Sequence, residues 1–140
     1  MLVMEQQGYL NYVISEDGRP VTEFARMTGT PCVIEGAEYR MTRDPRQRFT
    51  MHSPAQLVAV ADRVSGTHAS IAGPSDQFDL HRFSRWRNRW ELHHQGQRIG
   101  SCKLGMLSAS ADLPTAIPLP LRVFVLYTVV MFDKGVIMGA

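Results

Sequence analysis

The stretch from Pro120 to Gly135, PLRVFVLYTVVMFDKG, decides the fold of this 140-residue chain. Its ten central residues, from Val123 to Phe132, are apolar or nearly so and contain neither Pro nor Gly. Pro is common in the first turn of a helix because its missing N–H needs no partner there, and Gly is common just after the last turn. The stretch therefore predicts an α-helix over residues 121–134 that is hydrophobic on every face.

A helix that is apolar all round has to be surrounded by protein or by lipid. Spanning a bilayer takes about 20 apolar residues, and the run from Val123 to Phe132 has half that length. We therefore expect a helix buried within the protein and no transmembrane span. The β-branched valines of the run also suit a final buried strand, but the length between Pro120 and Gly135 favours a helix.

The rest of the chain predicts the shell that such a helix needs. Apolar residues alternate with polar ones in many short segments, as in half-buried strands. Examples are Tyr39 and Met41, Phe49 and Met51, Phe78 and Leu80, and Trp90 and Leu92. Turn sequences such as Asp17-Gly18, Glu35-Gly36 and Gln95-Gly96 separate them at short intervals. Regularly spaced short strands of this kind indicate an antiparallel meander.

Together these patterns predict a mainly β fold, a closed antiparallel β-barrel of about 10–12 short strands around one C-terminal hydrophobic helix. We expect a single domain in three parts. Residues 1–105 form the strand meander, residues 106–120 a Pro-containing connector, and residues 121–134 the central helix. Because Pro cannot donate to a strand ladder, we expect no interior strand in the connector.

Composition sets limits on function. The chain is 44% hydrophobic and 20% charged, as in globular domains, and its net charge of +2 does not by itself indicate nucleic-acid binding. Cys32 and Cys102 form no Cys-x-x-Cys motif, so we expect two buried free thiols, while a disulfide between them stays open. The N-terminus lacks the features of a signal peptide, so a cytoplasmic location is expected.

The pattern resembles the tubby C-terminal-like superfamily, which includes tubby, the LURP-one-related proteins and the phospholipid scramblases. Residues 126–135, LYTVVMFDKG, are similar to the tubby C-terminal signature, in which an apolar helix ends in Phe-Asp and then a Lys. The hairpins from Tyr9 to Leu104, and the Pro-spaced segment from Leu113 to Leu121, resemble LURP-one-related proteins and small actinobacterial relatives. The resemblance implies a barrel around a hydrophobic helix. It also points to lipid, because tubby binds phosphoinositides and scramblases act on phospholipids.

One segment concentrates residues suited to an anionic ligand. Residues 82–90, RFSRWRNRW, contain four Arg and two Trp. Arg makes bidentate contacts with phosphate, and Trp anchors at a membrane interface or stacks on bases. We expect a hairpin with a basic tip. Its candidate phosphate-binding residues are Arg82, Arg85, Trp86, Arg87 and Arg89. The alternative is a solvated hairpin whose Arg stems cover strand edges.

A second basic set occupies the equivalent position in an earlier hairpin. It consists of Arg40, Arg43, Arg46 and Arg48. If both hairpin tips lie at one end of the barrel, their fields add. The alternative is a charged hairpin that keeps a strand edge from aggregating.

Other chemistry has little support in the sequence. The five histidines are His52, His68, His81, His93 and His94. His81 and His93 can meet across neighbouring strands, but a metal site needs further ligands, so no metal and no cofactor are expected. Motifs such as Gly-x-Ser-x-Gly, His-Glu-x-x-His and the P-loop are absent from the sequence.

We therefore expect a non-enzymatic barrel that binds anionic phospholipid or phosphoinositide-like headgroups at a membrane surface. A structural or protein-interaction module without a small ligand is the alternative, and nucleic-acid binding is the weaker third option.

Overall fold

The computed structural model describes the whole chain except residues 9–10, 26–30, 46–47, 84–87 and 138–140, and for residues 133–137 it describes the backbone only. The described part contains twelve strands and one helix. The strands are β1 (Leu2–Gln7), β2 (Asn11–Glu16), β3 (Arg19–Ala25), β4 (Pro31–Ile34), β5 (Ala37–Arg43), β6 (Arg48–His52), β7 (Leu57–Ser65), β8 (His68–Ala72), β9 (Gln77–Arg82), β10 (Arg89–His94), β11 (Gln97–Leu104) and β12 (Ser108–Asp112). The helix α1 follows at Leu119–Ile137.

All twelve strands belong to one antiparallel sheet that forms a nearly closed barrel. Strands that follow each other in sequence pair with each other, and β1 also pairs with β12. The two edge strands are β3 and β4, which lie side by side without a hydrogen-bonded ladder between them. The predicted single-domain barrel around a C-terminal helix is therefore confirmed, with one seam at β3 and β4.

The antiparallel meander gives the barrel two different ends. At the turn end, each even-numbered strand connects to the next element and α1 begins. At the loop end, each odd-numbered strand connects to the next one, and α1 ends. Three connections at the turn end are tight two-residue turns with both φ angles positive, at Asp17-Gly18, Glu35-Gly36 and Gln95-Gly96. This is the type I′ geometry that matches the twist of paired strands.

Helix α1 forms the centre of the core. Every residue from Leu121 to Phe132 is buried, as a helix that is apolar on all faces requires. The inward positions of the strands, such as Ile14, Phe49 and Trp90, pack around it. Within the described part of the chain, no helix combines the length and the apolar character that a bilayer crossing requires.

The helix is longer than the predicted 121–134 at both ends. It begins at Leu119, so that Pro120 lies in its first turn. It continues through Gly135 to Ile137, so the prediction that Gly135 ends the helix is wrong. A Gly inside a helix costs about 1 kcal/mol relative to Ala, a cost that does not by itself end a helix.

The predicted connector over residues 106–120 also contains an interior strand, which corrects the expectation that it has none. Strand β12 lies between β1 and β11. Ala109 and Ala111 are buried and alternate with more exposed neighbours. The alternation was overlooked because these side chains are all small, and the prolines that argued against a strand come only after Asp112. Small inward residues let α1 pack closely against β12.

The start of α1 is fixed to the turn end by a buried arginine. Arg122 is only 8% exposed. Its Nε donates a hydrogen bond to the carbonyl oxygen of Ile117, 2.9 Å away, and its guanidinium forms an ion pair with the carboxylate of Glu16 at the end of β2. A buried charge is tolerated only when it is paired and hydrogen-bonded, so these contacts fix the helix against the barrel wall.

Cys32 and Cys102 are both buried and free, which agrees with the prediction of two buried thiols. Burial raises the pKa of the Cys102 thiol to about 12 and also raises the pKa of Cys32. A thiol reacts as its thiolate, so both groups are expected to be unreactive in the folded protein.

Candidate functional site

The described members of the first predicted basic set, Arg82 and Arg89, lie at the loop end. Arg82 ends β9 and Arg89 begins β10, so the two residues flank the base of one hairpin. Arg82 lies opposite Trp90 and therefore on the inner side of the sheet, whereas Arg89 lies opposite Lys103 on the outer side. Arg85, Trp86 and Arg87 lie outside the described residues. The two described arginines of this set thus face different sides of the barrel rim.

The second predicted basic set is divided in the same way. Arg43 shares the inner face with Met41, and its guanidinium lies 5.9 Å from the centre of the Phe49 ring. Arg48 lies on the outer face, where its Nε is 2.7 Å from Asp62 Oδ1. Arg40 is exposed in the middle of β5, opposite His52.

Arg46 lies outside the described residues. The turns of the two hairpins that carry these sets, β5–β6 and β9–β10, lie at the same end of the barrel, because each turn follows an odd-numbered strand.

The structure reveals a group that the sequence reasoning missed, which we call the arginine rim: Arg43, Arg63 and Arg82. The guanidinium of Arg63 lies 5.3 Å from the centre of the Phe132 ring. The Phe49 ring, over which Arg43 lies, is 5.0 Å from the same Phe132 ring. Trp90, opposite Arg82, has its ring centre 6.1 Å from it. The rim therefore lies along one side of the last buried turn of α1, on β5, β7 and β9.

A signal for the rim exists in the sequence. Each of its arginines takes the last inward position of an odd-numbered strand. Arg43 follows Tyr39 and Met41, Arg63 follows Ala59 and Ala61, and Arg82 follows Phe78 and Leu80. An arginine that follows the last inward apolar residue of a strand marks the rim of the core. At the rim, its guanidinium can lie over aromatic rings and near the negative end of the helix dipole.

Exposed apolar side chains form the second feature of the loop end that was missed. Val64 is 61% exposed, Phe83 57%, Met106 92% and Leu107 65%. They belong to three neighbouring hairpins, β7–β8, β9–β10 and β11–β12. We call these four residues the apolar tips. The sequence does indicate this feature, because Met106-Leu107 stands between Gly105 and Ser108, where turn positions normally carry polar residues.

The two ends also differ in charge. The comparison covers the described connections and the last two residues of each strand. The loop end then carries Arg43, Arg48, Arg82, Arg89 and Lys103 with Asp44 as the one acid. One residue further from this end lie Arg63 and the acids Glu5, Glu23 and Glu91. The turn end carries Glu16, Asp17, Glu35, Glu38, Asp76 and Asp112 with Arg19 and Arg98. The described chain is therefore polarised from an acidic turn end to a basic loop end.

Three histidines form a row on the outer wall. The ring of His81 stacks on His68 at 4.5 Å and meets His93 edge-on at 5.0 Å, so the predicted meeting of His81 and His93 is confirmed. Asp79 lies 2.9 Å from His68 Nε2, and Glu91 lies 3.4 Å from His93 Nε2. Burial and the two neighbouring histidines lower the pKa of His81. Among the described residues, no group of three or more His, Cys, Asp or Glu is arranged to hold a metal ion.

A groove of about 610 Å³ lies over the seam between β3 and β4. Its walls carry Val21, Val33, Glu23 and Glu38, and its lining includes Cys32. No ladder joins the two strands, so their edges border this groove. Exposed strand edges are sites where an extended peptide can add to a sheet.

Comparisons of this protein with family models, with curated proteins and with solved structures found no match. The charge, the exposed side chains and the geometry of the loop end are therefore the basis for assigning a function.

Proposed function

We propose that the protein is a non-enzymatic barrel that binds anionic phosphate-bearing lipid headgroups at its loop end. The observation that carries this proposal is the concentration of Arg and Lys there, with Asp44 as the one acid in the same described segments. The guanidinium group presents a planar fork of donors that fits two phosphate oxygens at once. A cluster of such groups at one end of a barrel is suited to a flat array of phosphates.

The arginines of the loop end do not contribute equally. Arg48 is already paired with Asp62, so we expect its contribution to be small. Arg89 lies opposite Lys103 on the outer face, so these two cations act together there. The sequence that connects β9 to β10 adds Arg85 and Arg87. Each basic residue near an anionic leaflet contributes about 1 kcal/mol of attraction.

The resemblance of the sequence to tubby-like proteins also supports a lipid ligand, since tubby and the scramblases act on lipids. The barrel around a hydrophobic helix agrees with the fold that this resemblance implies. Anionic phospholipids are concentrated in the cytoplasmic leaflet. We therefore propose that the protein acts at the cytoplasmic face of a membrane.

Sedimentation with vesicles tests the proposal. Vesicles of phosphatidylcholine with a phosphatidylinositol phosphate are expected to bind the protein at low salt, and vesicles of phosphatidylcholine alone are not. The double change Arg85→Ala/Arg87→Ala should weaken binding by roughly tenfold or more. The matched control, Arg19→Ala/Arg98→Ala, removes the same charge from the turn end and should leave most binding intact. Equal losses in both variants, or no binding by the wild type, would contradict the proposal.

A protein-interaction module is the second candidate, and the groove at the seam is the observation that favours it. A partner with an extended segment that lies in this groove would contact Val33, which is 57% exposed on the groove wall. Val33→Lys should then abolish capture of that partner and leave vesicle binding unchanged. Arg85→Ala/Arg87→Ala should have the opposite pattern if lipid is the ligand.

A further inference from the structure

We infer that the apolar tips, Val64, Phe83, Met106 and Leu107, enter the hydrocarbon boundary of an anionic bilayer when the loop end binds it. This inference rests on the proposed function and adds the depth and orientation of binding. It starts from the exposed fractions given above, which are highest at Met106 and Leu107. Exposed large apolar residues are individually common. Four of them on neighbouring hairpins at one end of a barrel mark an interaction surface.

The hairpin that carries Met106 and Leu107 is held in place by backbone hydrogen bonds. The N–H of Gly105 donates to the carbonyl oxygen of Ser108 at 2.7 Å. The N–H of Gln6 donates to the carbonyl oxygen of Leu107 at 3.1 Å. The carbonyl of Asn88 accepts from the N–H of Leu104 at 2.8 Å, which joins this hairpin to β9–β10. Met106 and Leu107 are therefore presented on an ordered frame, and binding through them loses less conformational entropy.

The arrangement of charge around the tips favours a bilayer over other occupants. Lys103 and Arg89 lie opposite each other on the outer face just behind the tips, and Arg63 and Arg82 lie on the inner rim beside Val64 and Phe83. This order fits a membrane interface, because the apolar side chains at the tips would reach the acyl chains while the cations behind them would lie at the level of the phosphates. A membrane is also wide enough to contact three hairpins at once.

A fluorophore at a tip tests the inference directly. Met106→Cys and, as the control at the turn end, Leu57→Cys would each be labelled with an environment-sensitive fluorophore. Leu57 is 51% exposed, and the native Cys32 and Cys102 are buried and should stay unlabelled. Vesicles of phosphatidylcholine and phosphatidylserine should shift the emission of the label at residue 106 to the blue. The label at residue 57 should remain in water and show no shift.

A pair of serine variants supplies the second measurement. Met106→Ser/Leu107→Ser should weaken vesicle binding about tenfold or more, because two apolar side chains no longer enter the interface. Binding of soluble inositol trisphosphate should be unchanged, because the arginines remain. Leu57→Ser is the control at the turn end and should bind vesicles like the wild type.

The possible failures are distinct. If the wild type binds vesicles but the label at residue 106 does not shift and Met106→Ser/Leu107→Ser binds normally, insertion is wrong and headgroup binding stands. If the wild type binds neither vesicles nor inositol trisphosphate, both proposals fail. If the label shifts without vesicles as the protein concentration rises, the tips contact a second copy of the chain and the membrane inference is overturned.

Discussion

The two ends of the barrel are built from the same meander but differ in turn geometry, charge and exposed side chains. The turn end has three type I′ turns, the buried Arg122 with its Glu16 partner, and an acidic surface. The loop end has Phe83 and Met106 exposed and a basic surface. Tight turns and buried ion pairs constrain the fold, whereas exposed apolar and basic side chains contribute little to it. We infer that stability depends mainly on the turn end and binding on the loop end.

Glycine substitutions should show the largest difference in stability between the two ends. A Cβ on Gly100 would lie 2.5 Å from the carbonyl oxygen of Asp112 and 2.8 Å from Leu113 Cδ2, because the chain leaving β12 passes close to β11 near the turn end. Gly100→Ala should lower the free energy of unfolding by about 3 kcal/mol, as measured by urea denaturation. A Cβ on Gly66, at the loop end, meets nothing within 4 Å. Gly66→Ala should therefore cause no comparable loss, and equal effects would refute the comparison.

The adjacent acids of the turn end test the role of burial in the ion pair. Glu16→Gln leaves the buried guanidinium of Arg122 without its counter-charge and should cost about 2 kcal/mol of unfolding free energy. Asp17→Asn removes an exposed pair with the N-terminal ammonium, 3.1 Å away, and should cost less than about 0.5 kcal/mol. Thermal and urea denaturation of the two variants measure both values. Similar losses would show that the contact with α1 does not fix the turn end.

The fold could largely be predicted from the sequence because its deciding signals are local. The apolar run from Val123 to Phe132 predicts a helix that must be buried on every side, and the period-two alternation of the rest of the chain predicts the strands that surround it. Asp17-Gly18 is a turn signal with its own backbone chemistry. Strand β12 was missed because the inward Ala109 and Ala111 have little apolar contrast with Ser108 and Ser110. The helix extends past Gly135 because enclosure by the barrel outweighs one poor residue.

The candidate site was harder to predict because it depends on proximity in space. Nearness along the chain groups Arg82 with Arg89, which face opposite sides of the sheet. Nearness along the chain also omits Arg63, which lies 20 residues from Arg43 in the sequence but occupies the equivalent place on the rim. Alternation within each strand shows which arginines share a face, and strand number shows that Val64, Phe83 and Met106 lie at one end. Strand order is needed to show that their hairpins are neighbours.

A titration in alkali should reveal the core behind the loop end. Cys102, which lies opposite Trp90, has its pKa raised from 9.0 to about 12 by burial. The folded state therefore favours the protonated thiol, and this stabilisation is complete below about pH 9 and lost as the pH rises toward 12. The free energy of unfolding should fall by about 1.4 kcal/mol per pH unit above pH 9 from this group.

The variant Cys102→Ala identifies the source of that slope. Burial also raises the pKa of Cys32 from 9.0 and that of Tyr127 from 10.0 to about 12, so some pH dependence remains in the variant. The fall in the free energy of unfolding between pH 9 and pH 10 should therefore be smaller in Cys102→Ala than in the wild type, and urea denaturation at a series of pH values measures it. An unchanged fall over this interval would show that the Cys102 thiol is not the responsible group.

Removal of the apolar tips should have almost no effect on stability, which sharpens the contrast between the ends. Met106 and Leu107 are largely exposed, so Met106→Ser/Leu107→Ser should change the free energy of unfolding by less than about 0.5 kcal/mol. The same variant is expected to lose vesicle binding. A large loss of stability would mean that the tips belong to the core of the loop end and are not a binding surface.

The smallest expected effect concerns the histidine row, which extends along the outer wall toward the loop end. The pKa of His81 is lowered from 6.5, first by burial and then by His68 and His93, while Asp79 and Glu91 oppose the shift. The folded state thus favours neutral His81, and the corresponding stability is present above about pH 6.5 and lost as the pH falls below it. In NMR titrations, His81 should titrate below pH 6.5, and His68→Asn should raise its pKa.

A control from the other end shows whether this shift is local. His52 ends β6 at the turn end, where it contacts Thr50 at 2.9 Å, so His52→Asn should leave the titration of His81 unchanged. Because His81 precedes Arg82, its protonation adds positive charge next to the loop end. Binding to anionic vesicles should therefore strengthen modestly as the pH falls below 6.5, and less so in His81→Asn. If His52→Asn had the same effect on binding, the contribution would come from net charge and not from the position of the row.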